Sequence, residues 1–376
     1  MEISDFKLER ILSMWQNQVK YNISASNVKS LYLNELITKQ ELDKIYNSIQ
    51  IRYVQTNGTI PLRESISLMY PGTNINNILV TNGSAEANFL LIWSNIEHGD
   101  EVILMFPNYM QIWGLLYAFG AKIIPIYLKE EKNWHIDIED LEKLISQKTK
   151  MIIVCNPNNP TGSILDIETM NKIVDLAGSS GAWILSDEIY RGAELDGIES
   201  PSFWGMYDKT LIVSGLSKAY ALPGLRIGWI VGPEKMIAEC WRRHDYTSIT
   251  RGAINEHLAC LALRPETKIK ILKRNRDILN ENIQIILDWF SKHPGLFHYI
   301  PPKAGGILFS RYNLNINSTE LVMKLIHDKS VLIVPGDCFG MDHYLRFGYG
   351  ADKKKLIPAL DLIHELIEEI QSNPKD

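Results

Sequence analysis

Between residues 78 and 231, seven short apolar segments alternate with stretches of helical period, and this alternation constrains the fold more than any other feature. The strand candidates are Ile78–Thr81, Glu101–Phe106, Lys122–Tyr127, Met151–Cys155, Trp183–Ser186, Thr210–Ser214 and Arg226–Val231. Helix-period segments such as Ala85–Ile96 and Ile167–Ala177 lie between them. Strand, helix, strand at this repeat predicts an α/β fold, a mostly parallel seven-stranded sheet with helices on both faces. Such sheets bind ligands at the carboxyl ends of their strands. Polar motifs begin where these strands end: Gly83 after the first, Asn159 after the fourth, Asp187 after the fifth, Lys218 after the sixth.

From about Glu256 the pattern changes. A long helical stretch, Lys268–Lys292, is followed by short strand candidates at Gly306–Tyr312, Val331–Val334 and Tyr344–Phe347. A final amphipathic helix carries Leu356, Leu360, Ile363, Ile367 and Ile370 at helical spacing. This predicts a smaller α+β domain beside the sheet.

Lys218 follows an apolar strand, and a glycine-containing turn then leads to Arg226. A lysine amine whose surroundings lower its pKa forms a Schiff base with an aldehyde. A guanidinium clamps phosphate oxygens bidentately. The pair suits an aldehyde cofactor that bears a phosphate. Gly83, Ser84 and Ala85 enter a helix, whose free N–H groups and dipole favour an anion.

Five segments complete the pattern. They are Val80-Thr81-Asn82-Gly83-Ser84-Ala85-Glu86-Ala87, Asn159-Pro160-Thr161-Gly162, Asp187-Glu188-Ile189-Tyr190, the run from Ser214 to Trp229, and Tyr344-Leu345-Arg346-Phe347-Gly348. In this order and spacing the chain resembles the aminotransferase class I/II family, fold-type I enzymes that use pyridoxal 5'-phosphate (PLP). The resemblance runs from about Tyr53 to Arg346. It implies a large PLP-binding domain over residues 46–255 and a small α+β domain from residues 1–45 and 256–376.

The same resemblance assigns roles. Lys218 would form the Schiff base and shuttle the proton between substrate Cα and cofactor C4'. Asp187 would pair with the pyridine nitrogen, since a nearby anion favours the protonated ring. Tyr190 and Asn159 would reach the phenolate oxygen, and Tyr109 would stack on the ring. Gly83, Ser84, Ala85, Ser217 and Arg226 would cradle the phosphate. Tyr53 would reach the phosphate of a neighbouring subunit, which implies a homodimer with shared sites. Arg346 would hold the substrate carboxylate, assisted by Asn159 and by a backbone N–H of Ser26. One departure is plain: relatives often carry Ser or Thr where this chain has Gly215, so a phosphate hydroxyl is lost or is supplied by Ser214 or water. Each position also has a blander reading: a turn or helix cap at Asp187, a surface ion pair at Arg346, a core aromatic at Tyr109.

The expected reaction is transfer of an amino group between an L-amino acid and a 2-oxo acid. Two alternatives stand beside it. The segments Ile23–Val28 and Gly215–Arg226 are also similar to cyclases of the capreomycidine synthase type, which implies a PLP-dependent lyase or cyclase acting on a polar or basic amino acid. A non-catalytic PLP-binding sensor is the second, though regulators of that kind carry a DNA-binding domain ahead of the cofactor domain. His244-Asp245-Tyr246-Thr247 is a candidate segment of the substrate side-chain pocket.

Composition excludes other classes. The chain has 376 residues and a net charge of −5 with no long basic run, which argues against nucleic acid as a partner. Cys155, Cys240, Cys260 and Cys338 show no metal-ligand spacing, so no metal is expected. His364-Glu365-Leu366-Ile367-Glu368 lacks the second histidine of a zinc-protease helix. Gly215-Leu216-Ser217-Lys218-Ala219 fails as a hydrolase nucleophile elbow at its last position. The N-terminus lacks the basic and apolar regions of a signal peptide, and no apolar run is long enough to span a membrane. A cytoplasmic location is expected.

Overall fold

The computed structural model describes residues 3–372. Its centre is a seven-stranded sheet in the order Ile78–Thr81, Gly228–Val231, Thr210–Gly215, Trp183–Asp187, Thr149–Cys155, Glu101–Phe106, Lys122–Tyr127. Only Gly228–Val231 runs antiparallel to its neighbours. The inner strands read as nearly unbroken apolar runs because both faces are covered, while the edge strand Lys122–Tyr127 is exposed at both ends. Alternate residues serve opposite cores. Ile103, Met105, Ile152, Val154, Ile184 and Ile212 enter one core, while Val102, Leu104, Met151, Ile153, Leu185 and Leu211 enter the other.

The helices start and stop where local chemistry requires. Asp166 caps Ile167–Ser180 by accepting from the Thr169 N–H at 2.7 Å, and Gly181 ends it in the left-handed region. Ser84–Asn95 begins directly after Gly83, whose φ of +89° is open only to glycine without strain.

Beyond residue 252, Ala253–Ala262 and the long helix Pro265–Ser291 lead to a four-stranded antiparallel sheet in the order Val334–Pro335, Tyr344–Gly348, Ile307–Tyr312, Phe297–Tyr299. The N-terminal segment joins this part, because Tyr21–Asn22 pairs in parallel with Val331–Leu332. The last helix, Lys353–Ser372, buries Leu356, Leu360, Ile363 and Ile367 as its periodicity predicts.

Two strand expectations need correction. Val331–Val334 is not one strand: Val331–Leu332 pairs with Tyr21–Asn22 and Val334–Pro335 with Tyr344–Gly348, so the chain changes sheets within four residues. The strand expected from Arg226 starts only at Gly228, because a 3₁₀ turn at Pro223–Leu225 leaves Arg226 left-handed at φ +52°. A side chain on Gly228 would place Cβ 2.4 Å from the Gly83 carbonyl carbon and the Ser84 nitrogen. This close approach fixes the loop that opens the Ser84–Asn95 helix.

Candidate active site

At the carboxyl ends of the central strands lies a cavity of about 680 Å³. Its lining includes Lys218, Asp187, Tyr190, Asn159, Arg226 and Arg346. Three of its charged groups are cationic (Lys218, Arg226, Arg346) and two are anionic (Glu9, Asp187).

Lys218 lies in the turn after Thr210–Gly215, and its Nζ donates to the Ser26 Oγ at 3.0 Å. Burial, then the positive charge of Arg346, pulls its pKa down to about 8, against the pull of Glu9 and Asp187. An amine in that range supplies the free base that attack on an aldehyde needs.

Asp187 is the last residue of its strand and is 3% exposed. Its Oδ1 accepts from the Ile189 N–H at 3.1 Å and its Oδ2 from the Asn88 Nδ2 at 3.4 Å. Burial raises its pKa to about 6. Strand alternation directs its neighbour elsewhere: Glu188 accepts from Ser202 and the Phe203 N–H, outside the cavity. Asn88 is itself within 3.4 Å of Gln111, whose Nε2 donates to the Ala85 carbonyl at 2.8 Å. The acid is therefore tied to the start of the Ser84–Asn95 helix.

Arg346 is 1% exposed, and no carboxylate pairs with it among the described residues. Nη1 donates to the Asn159 Oδ1 at 3.0 Å and Nη2 to the Ser24 carbonyl at 2.8 Å, while Nε has no partner. The guanidinium carbon lies 5.3 Å from the Phe339 ring centre. A buried guanidinium with an unused N–H and no anion is built to receive one. Asn159 spends its oxygen on Arg346, so what it can offer a ligand is its amide N–H groups.

Arg226 makes only long bonds to carbonyls, 3.3 Å to Pro223 and 3.4 Å to Asn82. Its guanidinium occupies the space that a Cβ on Gly83 would take, 2.5 Å from Nη2. It thus stands against the free N–H groups of Ser84 and Ala85. Tyr190 is 2% exposed, and its hydroxyl has no hydrogen-bond partner among the described residues. Tyr109 lines the cavity, packs edge-on to Phe6 at 5.0 Å and donates to the Glu9 Oε1 at 2.9 Å.

These groups fit one ligand. Arg226 with the helix start suits a phosphate, the buried Asp187 suits a cationic ring nitrogen, and the unpartnered Tyr190 hydroxyl suits a phenolate. The neutralisable Lys218 amine suits an aldehyde. A family model of aminotransferase class I and II matches residues 35–363. The chain belongs to the aminotransferase class I and II family. It is an enzyme, a PLP-dependent aminotransferase of fold type I. Its relatives include an aspartate aminotransferase of Pyrococcus horikoshii, 28% identical over 96% of this chain and 92% of that protein. Capreomycidine synthase of Streptomyces vinaceus is 29% identical over 93% of this chain and 90% of its own length. A crystal structure of a PLP-dependent aminotransferase from Streptococcus suis 89-1591 superposes with a TM-score of 0.92 at 34% identity, covering both chains completely.

Of the residues anticipated from sequence, Ser26, Ser84, Ala85, Tyr109, Asn159, Asp187, Tyr190, Ser217, Lys218, Arg226 and Arg346 line the aminotransferase's cavity. Gly83 stands behind Arg226. Tyr53 is apart from them, 80% exposed and outside its own chain's cavity.

Two expectations change, and the glycine at 215 gains a reason. Ser214 does not replace the missing phosphate hydroxyl, since its Oγ donates to the Glu188 carbonyl at 3.2 Å. Gly215 is glycine for steric reasons: a Cβ there would sit 2.8 Å from the Ile227 carbonyl oxygen. Segment 244–247 does not line the cavity. His244 is buried, 3.5 Å from Glu86, and Thr247 donates to the same carboxylate. Burial would raise the Glu86 pKa, but bonds from His244, Thr247, the Asn82 N–H and Ser248 hold it at about 2. That network braces the loop before the Ser84–Asn95 helix.

Glu9, Asn88, Gln111 and Ile189 were not anticipated. The amphipathic N-terminal helix was the one available signal for Glu9, and it reads equally as ordinary packing.

Proposed function

We propose that this aminotransferase moves an amino group between an L-amino acid and a 2-oxo acid, with Lys218 as the residue that binds the cofactor aldehyde. When bound, PLP supplies the electrophilic aldehyde and the electron sink for a carbanion. Lys218 then moves the proton at the substrate Cα. Asp187 holds the proton on the pyridine nitrogen, in a buried site where its charge is poorly screened. Tyr190 and Asn159 would hold the phenolate oxygen of the cofactor, and Tyr109 would pack against its ring. Ser84, Ala85, Ser217 and Arg226 bind the phosphate, with Gly83 giving Arg226 its place. Arg346 binds the substrate α-carboxylate, with Asn159 and Ser26 beside it.

The observation that carries this reading is that two guanidinium groups without a carboxylate partner among the described residues, Arg346 and Arg226, line the same cavity as the depressed-pKa amine of Lys218. A cofactor phosphate and a substrate carboxylate account for one each. The proposal extends to a homodimer in the cytoplasm, in which Tyr53 reaches the partner's phosphate site. It also extends to a division into a large domain, residues 46–255, and a small one from residues 1–45 and 256–376. No described helix is long and apolar enough to cross a membrane.

The test follows the amino group. PLP-loaded protein given a matching amino acid alone should release one equivalent of 2-oxo acid per site and stop. Adding a second 2-oxo acid should restart it. Sustained turnover with no oxo acid, releasing ammonia or a cyclic product, would show a lyase or cyclase instead.

A further inference from the structure

Glu9 is the one charged side chain of the cavity that the proposed chemistry leaves without a task. Lys218, Asp187, Arg226 and Arg346 each have a partner on the cofactor or the substrate α-carboxylate. Glu9 accepts one hydrogen bond, from the Tyr109 hydroxyl at 2.9 Å, and forms no ion pair among the described residues. It is exposed, so it stands where the cavity opens. Its charge still acts inside. Burial lowers the pKa of both Lys218 and Arg346, and Glu9 is among the groups that oppose this.

The helix Lys7–Trp15 places Glu9 in a defined row. Phe6, Glu9, Leu12 and Gln16 recur every three or four residues, which puts them on one helical face, and all four line the cavity. Asn22 and Gln111 add neutral amides. Among the described residues, this wall offers apolar surface, a single negative charge and amide groups, but no cation. A substrate held by Arg346 at its α-carboxylate has its side chain as the remaining group to be read. Among the cavity-lining residues of this protomer, a second carboxylate would find every cation engaged and would meet Glu9 as a like charge. An apolar stem ending in an ammonium or guanidinium would lie on Phe6 and Leu12 and pair with Glu9.

We propose that Glu9 is a specificity-determining residue, selecting amino acids with a cationic side chain and rejecting dicarboxylic ones. This rests on the aminotransferase reading, in which Arg346 takes the α-carboxylate. The hydrogen bond from Tyr109 holds the Glu9 carboxylate in place, so the selector is oriented by the residue that covers the cofactor ring.

Binding of acids that lack the α-amino group, and so cannot react, tests the proposal. Calorimetric titration of the PLP-loaded protein would compare pentanoate, glutarate and 5-guanidinopentanoate. The guanidino acid should bind more tightly than pentanoate by roughly two- to fivefold, as for an exposed ion pair, and glutarate more weakly than pentanoate. Glu9→Gln keeps an oxygen for Tyr109 and should erase that preference while leaving pentanoate unchanged. Glu9→Lys should turn it towards glutarate. Equal or better binding of glutarate by the wild type, or a preference that survives Glu9→Gln, overturns the assignment of Glu9 alone, provided pentanoate binds and depends on Arg346. Pentanoate that fails to bind, or that binds equally well to Arg346→Ala, overturns the reading of the site and the Glu9 proposal with it.

Discussion

At the residue scale, the cavity is defined by groups that lack their ordinary partners. Among the described residues, no anion pairs with the buried Arg346 and the Tyr190 hydroxyl has no hydrogen-bond partner. A buried polar group left unpaired costs about 1–3 kcal/mol, a cost that a bound ligand removes. Lys218 is displaced the other way, towards neutrality, because burial and Arg346 penalise its charge. The sign gives a pH prediction. The protonated amine dominates below about pH 8 and the free base above it, so the rate at which cofactor-free protein captures PLP should rise with pH and level off just above 8. Stopped-flow absorbance across pH 6–10 would check this. A rate still climbing towards the ordinary lysine range near 10.4 would show an unperturbed amine. Lys218, Asp187 and Arg226 were legible in the sequence because each follows a strand end or a turn with a distinctive local pattern. Glu9 and Asn88 were not, since an acid on an amphipathic helix and an asparagine in a buried one carry no local mark of what they face.

At the element scale, the loop at residues 82–85 is held by contact rather than by its own sequence. Gly228 approaches Gly83 and Ser84 so closely that a methyl group has no room, and Gly83 in turn leaves space for Arg226. Gly228→Ala should therefore push the loop at residues 82–85 outward. The expected outcome is a fold destabilised by about 1–3 kcal/mol, as for other overpacked sites, and PLP affinity reduced more than tenfold. Equilibrium dialysis against PLP, with thermal melts of the cofactor-free protein, would measure both. Unchanged affinity would mean the loop tolerates displacement. The seven central strands were readable because strands buried on both faces are continuous apolar runs. The strands Tyr21–Asn22 and Phe297–Tyr299 were missed, being too short to show a period. Val331–Val334 reads as one strand because nothing in four apolar residues marks the change of sheet.

At the scale of the whole molecule, the cavity combines strand ends from the central sheet with segments from both ends of the chain. The exposed Tyr46, Ile51, Tyr53, Ile60 and Leu68 lie in one stretch of sequence. The exposed Ile249 and Ile254 flank Thr250 and Arg251, which bond to the carbonyls of Val54, Gln55 and Thr56. In the proposed dimer this apolar surface is covered and each Tyr53 serves the opposite site. Mixed Tyr53→Phe and Lys218→Ala protomers should then form some hybrid dimers with one site free of both lesions, recovering part of the activity lost in the parents. A fully active monomer by sedimentation would rule this out. The sequence by itself determined the sheet, the strand ends and the order of the cofactor motifs, because hydrophobic period and turn chemistry act over a few neighbouring residues. Only the tertiary structure decided that the Ser26 hydroxyl meets the Lys218 amine, that Arg346 is held by Ser24 and Asn159, and that Glu9 meets Tyr109. The physical reason is distance along the chain: those pairs come from remote segments, and packing of the N-terminal helix and the small sheet against the cavity brings them together.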